Sequence, residues 1–473
     1  MLAPTNMSAP AIAVNRFGLG ARPDEIAPND PKKWLLDQFA QYQITPTAWA
    51  NQAKTVDLIT EYVAKAKQLK QIKQTDEMQQ KDMRKSFVRE IRDDYQAAVQ
   101  MRAESALLTP APFIERLVHF WANHFAVSVE KRGIAELAGA FELEAIRPNV
   151  LGSFKNMLLA VAHHPAMLMY LDQTRSIGPN SQADLRSAER NADKKRGLNE
   201  NLGREILELH TLGVRSGYSQ SDVTEFARAL TGWSITGEGG GNKRNQAQFE
   251  EVGKNGFAFR SNLHEPGSRN LLGKTYAQTG SAQAEAILSD LASAQTTATH
   301  IATKLARHFV GDTPPANLVD KLANTFTSSN GDLPSIYKVL IDAPEAWQAA
   351  PAKFKTPWEW LISCERGLGL QSQDKYKVAQ ILNQLGQPIW KPGSPAGFDD
   401  IAETWAAPNA LLRRIELVQR LVAPYGDKLD ARTLGDKLLL GSLSPQTKTA
   451  ISRAESASTG LALLFVSPEF LRR

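Results

Sequence analysis

Apolar residues recur every three or four positions along most of this 473-residue chain, which is the period of an α-helix. Segments such as "PFIERLVHFWANHFAV" and "ATHIATKLARHFVGD" keep that period over several turns. Ser219, followed three residues later by Asp222, is typical of a helical capping box. Strand-like runs are scarce, and the best candidate lies around Phe257 to Phe259. The pattern therefore predicts an all-α, mainly helical fold with few or no short strands.

No fixed-period repeat and no clean linker divides the chain, which favours one large multi-helix domain over residues 1–473. Within it, residues 52–105 are highly charged and rich in Lys, Gln, Glu and Ala, and they predict an exposed helical arm or hairpin. Residues 173–198 are polar and residues 237–256 are rich in Gly and Asn, so both segments predict flexible loops. A further Pro/Gly/Trp-rich loop is expected between 386 and 400.

Composition excludes several classes of protein. The 55 Lys+Arg and 50 Asp+Glu residues are interleaved, so the net charge of +5 gives no basic patch for nucleic acid. The lone Cys364 excludes an internal disulfide and a cysteine-based zinc site. No apolar run reaches the ~18 residues of a membrane span. Without a signal peptide the protein is expected to be cytoplasmic as written, or periplasmic or exported if the true start lies upstream. Its oligomeric state stays open.

The stretch "NENLGREILELHTLG" places four polar residues, Asn201, Arg204, Glu205 and Glu208, within an arc of roughly 100° on one helix. One interpretation is a solvated face with ion pairs between successive turns. Apolar residues border the stripe on both sides, however, and asparagine is a poor interior helix former. We therefore expect the stripe to face inward and to mark a polar site, because a buried carboxylate without a partner shifts its pKa or binds a cation.

The eight histidines add candidates for the same site. His119 and His124 are five residues apart, about 140° around a helix, so one regular helix would not aim both at one ion. His124 lies among aromatic residues and is either a core histidine or a site residue. His264 lies in the loop "NLHEPGSRNLLGK" beside Glu265, where an imidazole is as well placed for a site as for a core. No HExxH motif is present.

Several longer segments of the chain carry a family resemblance. They include "FGLGARPDE", "ERLVHFWANHFAV", "HHPAMLMYLDQ", "NENLGREILELHTLGV", "YSQSDVTEFARALTGW", "HEPGSRNLLGKTY", "KLARHFVGDTPP", "KTPWEWL" and "SPEFLRR". Together they resemble the bacterial DUF1800 family, a domain of unknown function, over nearly the whole chain. The resemblance implies a large, mainly helical protein. It also implies that family members are often exported and that their genes often adjoin one for a DUF1501 protein, a class that resembles sulfatases and alkaline phosphatases.

The resemblance also points to residues of this chain. The family pattern of Asn-Glu-Asn, Arg-Glu and a second Glu, the aromatic-Trp-Asn-His-Phe run and the His-Asp-Pro-Gly-like loop correspond here to Asn199, Glu200, Asn201, Arg204, Glu205, Glu208, Trp121, Asn123, His124, His264, Glu265, Pro266 and Gly267. Glu265 replaces the aspartate of the family loop, so a role for a short carboxylate at this position is in doubt.

The first functional hypothesis is a hydrolase- or transferase-like enzyme with one polar pocket. Two carboxylates and one or two imidazoles suit a divalent metal or general acid–base catalysis. The candidate catalytic residues are Glu205, Glu208, Arg204, His124 and His264. The candidate substrate-binding residues are Asn199, Asn201, Asn123, Trp121 and Trp390. The candidate ligands for one divalent metal are His124, Glu208 and His264.

The alternative is a non-catalytic scaffold or assembly partner of a DUF1501-type protein. The charged segment 52–105 would then be the contact arm, and the polar cluster would be a buried network that fixes helix register. The two hypotheses differ on whether His124, Glu205, Glu208 and His264 converge in a cleft open to solvent. No Walker loop, GxGxxG or GxSxG motif is present, so nucleotide binding by a known loop and a serine nucleophile elbow are not indicated.

Overall fold

The computed structural model describes residues 6–72, 77–190, 197–237, 250–372 and 378–473, and helices dominate them. Helix accounts for 63% and strand for 4%, so the expected all-α class is confirmed. The α-helices, in chain order, are α1 Ala9–Ile12, α2 Pro31–Gln41, α3 Thr55–Ile72, α4 Glu77–Leu108, α5 Pro112–His124, α6 Ile134–Phe141, α7 Phe154–His163, α8 Pro165–Tyr170, α9 Gln182–Arg190, α10 Asn201–Glu205, α11 Gln220–Leu230, α12 Ser281–Ser293, α13 Gln295–Phe309, α14 Ala316–Ser328, α15 Leu333–Asp342, α16 Pro357–Gly367, α17 Val378–Leu385, α18 Ala402–Trp405, α19 Pro408–Val422, α20 Ala431–Leu439, α21 Pro445–Ser452 and α22 Ala457–Phe465.

The strands are short and form two small antiparallel sheets. Their ranges are β1 Trp233–Ile235, β2 Glu250–Val252, β3 Phe257–Arg260, β4 Arg269–Leu271 and β5 Lys274–Tyr276. The first sheet has the order β1-β3-β2, with Trp233 opposite Phe259, and the second is the β4–β5 hairpin. The strand expected around Phe257 to Phe259 is therefore confirmed.

The charged segment 52–105 forms two helices, and α4 continues past it to Leu108. The two halves of α4 differ in environment. Ala98, Val99 and Ala103 in its second half are buried in the core, whereas Met78 and Val88 in its first half are 76% and 66% exposed. Within the described ranges no helix combines the length and apolar character needed to cross a membrane.

The two segments expected to be flexible loops contain regular structure. Helix α9 lies inside residues 173–198, and the hydroxyl of Ser181 accepts a hydrogen bond from the backbone N–H of Asp184 at its start. The expectation of a long loop there is wrong for residues 182–190, because a hydroxyl cap begins a helix that is polar overall and contains few apolar residues. Strand β2 lies within 237–256. Residues 191–196 and 238–249 of these two segments lie outside the described residues.

Helix starts follow the local sequence. The Ser219–Asp222 capping box is confirmed at α11. A second capping box begins α16, where Thr356 is the N-cap, Pro357 takes the first helical position and Glu359 closes the box. Helices α5, α13 and α16 meet in the core. Their arrangement brings polar side chains from distant parts of the chain to one cavity.

Candidate active site

A cavity of about 350 Å³ lies between α4, α5, α13, α16 and the segment 386–401. That volume is within the range of small-molecule sites. Its polar lining includes Arg116, His119, Asn123, Lys304, His308 and Asp400. Its apolar lining includes Phe120, Trp358, Ile389 and Trp390. The cavity therefore combines charged groups with aromatic walls.

One side of the cavity is formed by α5. Arg116, His119 and Asn123 are three and four residues apart, so they share one face of the helix. The opposite faces of α5 carry apolar side chains such as Phe113 and Leu117, which are fully buried. Burial of these side chains fixes the helix and directs its polar face toward the cavity.

Helix α13 supplies the facing side in the same way. His300, Lys304 and His308 are spaced by four residues, which keeps them close to one line along the helix. Ile301 and Leu305 lie on the other side and are fully buried. Lys304 and His308 line the cavity. His300 lies one turn earlier, where its Nε2 donates to the carbonyl oxygen of Leu209 over 3.1 Å.

The strongest chemical feature of the cavity is a carboxylate–imidazole pair. Nδ1 of His308 lies 2.7 Å from Oδ2 of Asp400. Burial by itself would raise the pKa of Asp400, but His308 and Lys353 outweigh burial and hold this pKa well below its ordinary value. Asp400 is therefore a carboxylate, and Nδ1 of His308 carries the proton that it accepts. Lys353 completes the arrangement, with its ammonium 3.1 Å from Asp400 Oδ1 and 2.7 Å from Asp312.

This pairing leaves the other ring nitrogen of His308 free. Burial lowers the pKa of His308 and outweighs the opposing effect of Asp400, so the ring is neutral at pH 7. Its Nε2 is buried and has no hydrogen-bond partner in the part of the chain that the structure describes. A neutral imidazole with Nδ1–H bonded to a carboxylate presents a basic lone pair at Nε2.

Glu359 is the second carboxylate of the site, and its side chain is 5% exposed against 24% for Asp400. Its Oε2 accepts the backbone N–H of Thr356 in the capping box, and its Oε1 pairs with Arg116 and, at 2.8 Å, with Arg473. Burial alone would raise the pKa of Glu359, but Arg473 and Arg116 hold it far below the ordinary value. The Nη1 of Arg473 also donates to the carbonyl oxygen of His308 over 2.6 Å. The two carboxylate systems of the site are therefore joined through Arg473.

Lys304 is a different kind of charged group. It forms no hydrogen bond or ion pair with any described residue, although it lines the cavity. Burial is the main cause that lowers the pKa of Lys304 to about 8; the charge of Asp400 opposes this shift, and that of Arg307 adds a smaller contribution to it. An unpaired ammonium with a depressed pKa in a cleft is typical of a functional group rather than of a stabilising one.

The segment 386–401 closes one side of the cavity and is tied to the helices around it. The side-chain amide of Asn123 donates to the carbonyl oxygen of Phe398 over 2.9 Å, and its oxygen accepts the Phe398 N–H over 2.8 Å. Gly397 has a φ of +83°, and a Cβ there would lie 2.3 Å from the Asn123 carbonyl oxygen. Trp390 donates through Nε1 to Glu142 over 3.1 Å. The Pro/Gly/Trp-rich loop predicted from sequence therefore lies against the cavity.

Three of the residues predicted from sequence line this cavity, namely His124, Asn123 and Trp390. His124 is buried, and its Nε2 donates to the carbonyl oxygen of His210 over 3.1 Å. Burial lowers the pKa of His124 well below its ordinary value, and Lys304 adds to the effect. Trp121 lies in the core instead, where its Nε1 donates to the hydroxyl of Tyr337 over 2.7 Å.

The polar stripe of Asn201, Arg204, Glu205 and Glu208 lies outside the cavity lining. Asn201 is exposed, and the side chains of Arg204 and Glu208 are 35% and 27% exposed. Arg204 pairs with Glu200 at 3.0 Å and lies 3.9 Å from Glu208. Only Glu205 is more enclosed, and burial followed by the charge of Glu208 raises its pKa. The expectation that the stripe faces inward is wrong, because Leu202, Ile206 and Leu207 take the buried side of the helix.

Asn199 has a local structural role at the start of the same segment. Its side-chain amide donates to the carbonyl oxygens of Leu171 and Asp172 over 3.2 and 3.1 Å, and its oxygen accepts the Asn201 N–H over 2.9 Å. These bonds fix the turn that leads into α10. Neither Asn199 nor Asn201 lies in the cavity lining.

The loop that carries His264 is tied into the fold in a similar way. Nδ1 of His264 donates to the carbonyl oxygen of Thr231 over 2.9 Å. Glu265 is buried, and its carboxylate accepts hydrogen bonds from the backbone and side chain of Asn180 over 2.7 and 2.6 Å. The loop therefore joins the turn near Asn180 to the end of α11, and His264 does not line the cavity.

The predicted metal ligands do not meet. Among the described residues, no three His, Cys, Asp or Glu side chains are placed to hold a metal ion, so His124, Glu208 and His264 form no such group. The reason is geometric. His124 lines the cavity, His264 is bound to Thr231 at the end of α11, and Glu208 lies beside Arg204 on the helix surface, so the three residues belong to different parts of the fold.

The residues that sequence reasoning missed are Lys304, His308, Glu359 and Asp400. A signal for the first two was present, since His300, Lys304 and His308 repeat at the helical spacing in a segment with an apolar opposite face. Thr356 and Glu359 also show the spacing of a capping box. No sequence pattern connects these residues to Asp400, because their approach depends on how three helices and a loop pack.

Comparison with known proteins identifies the chain by family alone. A family model described as "Protein of unknown function (DUF1800)" matches residues 12–472, so the chain belongs to the DUF1800 family. No curated protein and no solved structure gives a significant match. The resemblance found in the sequence is confirmed over nearly the whole chain.

Proposed function

We propose that this DUF1800 protein is a hydrolase- or transferase-like enzyme in which His308 is the general base. The observation that carries the proposal is the His308–Asp400 pair, 2.7 Å apart, whose outer ring nitrogen is buried at a cavity without a partner among the described residues. A catalytic base needs that arrangement, since one nitrogen is oriented by a carboxylate while the other is available to a substrate.

The proposed chemistry needs no group beyond the chain and its substrates. Nε2 of His308 takes the proton from the O–H of water, or of an acceptor alcohol, while that oxygen attacks an electrophilic centre of the substrate. The bond to the leaving group breaks, and the imidazolium returns the proton to the departing atom. Asp400 stabilises the imidazolium, because a carboxylate held ionised by Lys353 offsets the new positive charge.

The surrounding residues position this pair. Asn123 holds the segment that carries Asp400 through its two hydrogen bonds to Phe398. Trp358 donates to Nδ1 of His119 over 3.1 Å, which places the proton of that neutral ring on Nε2. These contacts hold the cavity walls and the His308–Asp400 pair in fixed positions, as preorganised catalysis requires.

The test is turnover of a panel of p-nitrophenyl compounds, namely a phosphomonoester, a phosphodiester, a sulfate, an acetate and glycosides, by full-length protein. His308→Gln should lower kcat/KM on the accepted compound by about 10²–10⁴-fold, the range for loss of a general base. Asp400→Asn should lower it in the same direction. His163→Gln is the matched control, because His163 stacks on Trp233 at 4.3 Å and does not line the cavity. Turnover that is equal in wild type and His308→Gln for every compound would contradict the proposal.

A second candidate function is an assembly partner of a DUF1501-type protein, and the α3–α4 hairpin favours it. Met78 and Val88 on α4 are largely exposed, and Val56 on α3 is 45% exposed. A partner that covers these side chains would remove apolar surface from water. Co-purification with a DUF1501-type protein should be lost in a Met78→Glu, Val88→Glu variant. Binding that is unchanged in this variant would exclude the hairpin as the contact.

A further inference from the structure

We infer that the cavity binds an oxyanion group of its ligand, held by Lys304, Arg307 and the free Nη2 of Arg116. The inference rests on the proposed function for the position of the site and adds the substrate class. A phosphate, a sulfate and a carboxylate share the chemistry concerned, which is a compact anion with several acceptor oxygens.

Two cations of the cavity have no carboxylate within ion-pair distance among the described residues, although the charge of Asp400 acts on Lys304 from farther away. Lys304 makes no ion pair with a described residue, and the same holds for Arg307 throughout those ranges. The guanidinium of Arg307 donates through Nε to the carbonyl oxygen of Asp312 over 3.3 Å. Its position three residues after Lys304 places both on adjacent turns of α13, at the cavity lining. Two unpaired cations in one cleft are costly unless an anion joins them.

Arg116 has an unsatisfied hydrogen-bond donor at the cavity. Arg116 uses Nε to reach the carbonyl oxygen of Gly18 over 2.7 Å and Nη1 to reach Glu359. Its Nη2 has no hydrogen-bond partner within the described ranges, and water cannot replace one because the side chain is only 2% exposed. A buried N–H without an acceptor destabilises the folded state, because its lost hydration is not replaced. A ligand oxygen would remove that cost, since Arg116 lines the cavity.

The cavity carries an excess of positive charge. Two of the acids in its lining already have cationic partners. Asp400 is bound by Lys353 and His308, and Glu359 by Arg116 and Arg473. Asp399, the remaining acid of the lining, is exposed and accepts a hydrogen bond from Thr404. The positive charges of Lys304 and Arg307 are therefore left over for a ligand.

The walls of the cavity restrict the rest of the ligand. Phe120, Trp358 and Ile389 supply apolar surface beside the charged groups. The volume of about 350 Å³ suits a small molecule rather than a polymer segment. The ligand class is therefore a small molecule with an oxyanion at one end and an apolar or aromatic body.

The test is calorimetric titration of full-length protein with inorganic phosphate, sulfate and acetate in separate experiments. At least one of them should bind, and the ranking of the three distinguishes a tetrahedral from a planar oxyanion. Lys304→Met and Arg307→Met should each weaken the preferred anion at least tenfold. Lys338→Met is the matched control, because it removes one exposed helical lysine outside the cavity and should leave affinity unchanged.

Two results would overturn the inference. One is that none of the three anions binds, and the other is that Lys304→Met and Arg307→Met bind the preferred anion as wild type does. Circular dichroism and thermal unfolding of each variant show whether it is folded, and Arg307→Met provides the readout if Lys304→Met is not. His308→Gln separates the two proposals, since anion binding should persist in it while turnover is lost. Turnover of a neutral ester without anion binding would leave the general base in place and remove the oxyanion site.

Discussion

The cavity cluster and the surface stripe contain similar residues but differ in how those residues are satisfied. Arg204 of the stripe shares the carboxylate of the neighbouring Glu200 with Gln220 and Thr224, and the three hydrogen bonds to this carboxylate are 2.7 to 3.0 Å long. In the cavity, Nε2 of His308 and Nη2 of Arg116 are buried without a hydrogen-bond partner in the described part of the chain, and Lys304 forms no ion pair there. A network that is satisfied and solvated needs no ligand, whereas a buried one with open donors and acceptors is built for one.

The two regions also differ in origin. The stripe comes from two neighbouring segments and is visible as a local pattern in the sequence. The cavity cluster joins α5, α13, α16 and the segment 386–401, which are distant along the chain. Residues drawn together from distant segments depend on packing, so their loss should affect stability or function far more than loss of a surface pair. The following predictions test that contrast.

The largest effect is expected at Glu359. Glu359→Gln leaves Arg116 and Arg473 buried without a negative partner, and it should lower the free energy of unfolding by about 3–5 kcal/mol. Chemical denaturation followed by circular dichroism measures the loss. A loss below about 1 kcal/mol would mean that the buried pair behaves as a surface pair, which would erase the contrast between the two regions.

Lys304→Met should raise the free energy of unfolding instead of lowering it. The ammonium of Lys304 has a pKa of about 8 in the folded state, below the ordinary value of 10.5. Below pH 8 it is charged in both the folded and the unfolded chain, so the cost of its burial is fully present. That cost is relieved as pH rises from 8 to 10.5. At pH 7 the variant should be more stable by about 1–3 kcal/mol.

The same denaturation experiment on Lys338→Met supplies the control, with a change within about 0.5 kcal/mol. Stabilisation by Lys304→Met together with loss of anion binding would show that the lysine is kept for a ligand at the expense of stability. If Lys304→Met is destabilised, the residue has a structural partner and the site argument fails.

The buried histidines predict a dependence of stability on pH. Burial is the main cause that lowers the pKa of His300 to about 4 and the pKa of His210 to about 3. The positive charge of Lys304 is the next cause for both rings. Both rings are neutral in the folded state at pH values where the unfolded chain takes up a proton. Their contribution to stability is therefore full above about pH 6.5 and falls as pH drops toward the folded pKa.

His300→Gln tests that dependence with the smaller disruption. Between about pH 6.5 and 4, each such histidine lowers the free energy of unfolding by up to about 1.4 kcal/mol for every pH unit that the pH falls. The variant should lose stability less steeply than wild type by up to that amount in urea denaturation across this range. Parallel curves for the two proteins would show that His300 is protonated in the folded state.

The smallest effect is expected in the stripe. Glu200→Gln removes the carboxylate that pairs with Arg204, and both side chains are about one-third exposed. The free energy of unfolding should fall by less than about 1 kcal/mol, and 0.5 M salt should reduce the difference further. A loss comparable to that of Glu359→Gln would place the stripe among the buried networks and reopen it as a candidate site.

Much of the fold could be predicted from local pattern. The periodicity of α5 and α13, the Ser219–Asp222 capping box and the strand near Phe257 all depend on residues a few positions apart, and all are confirmed. The helix at 182–190 was missed because it is polar overall and contains few apolar residues, and a hydroxyl cap marks its start. The site was only partly predictable. His124, Asn123 and Trp390 reach the cavity, whereas the stripe and His264 do not.

The sequence by itself determined the helical class, the family and the faces of the helices, because a period of 3.6 residues sorts apolar from polar side chains before any tertiary contact forms. Only the tertiary structure decided which polar faces meet. It placed Asp400 against His308, left Lys304 without an ion pair among the described residues and turned the stripe that contains Arg204 and Glu208 toward solvent. The physical reason is that burial and pairing of a charge depend on neighbours from other segments, and helical spacing alone does not specify them.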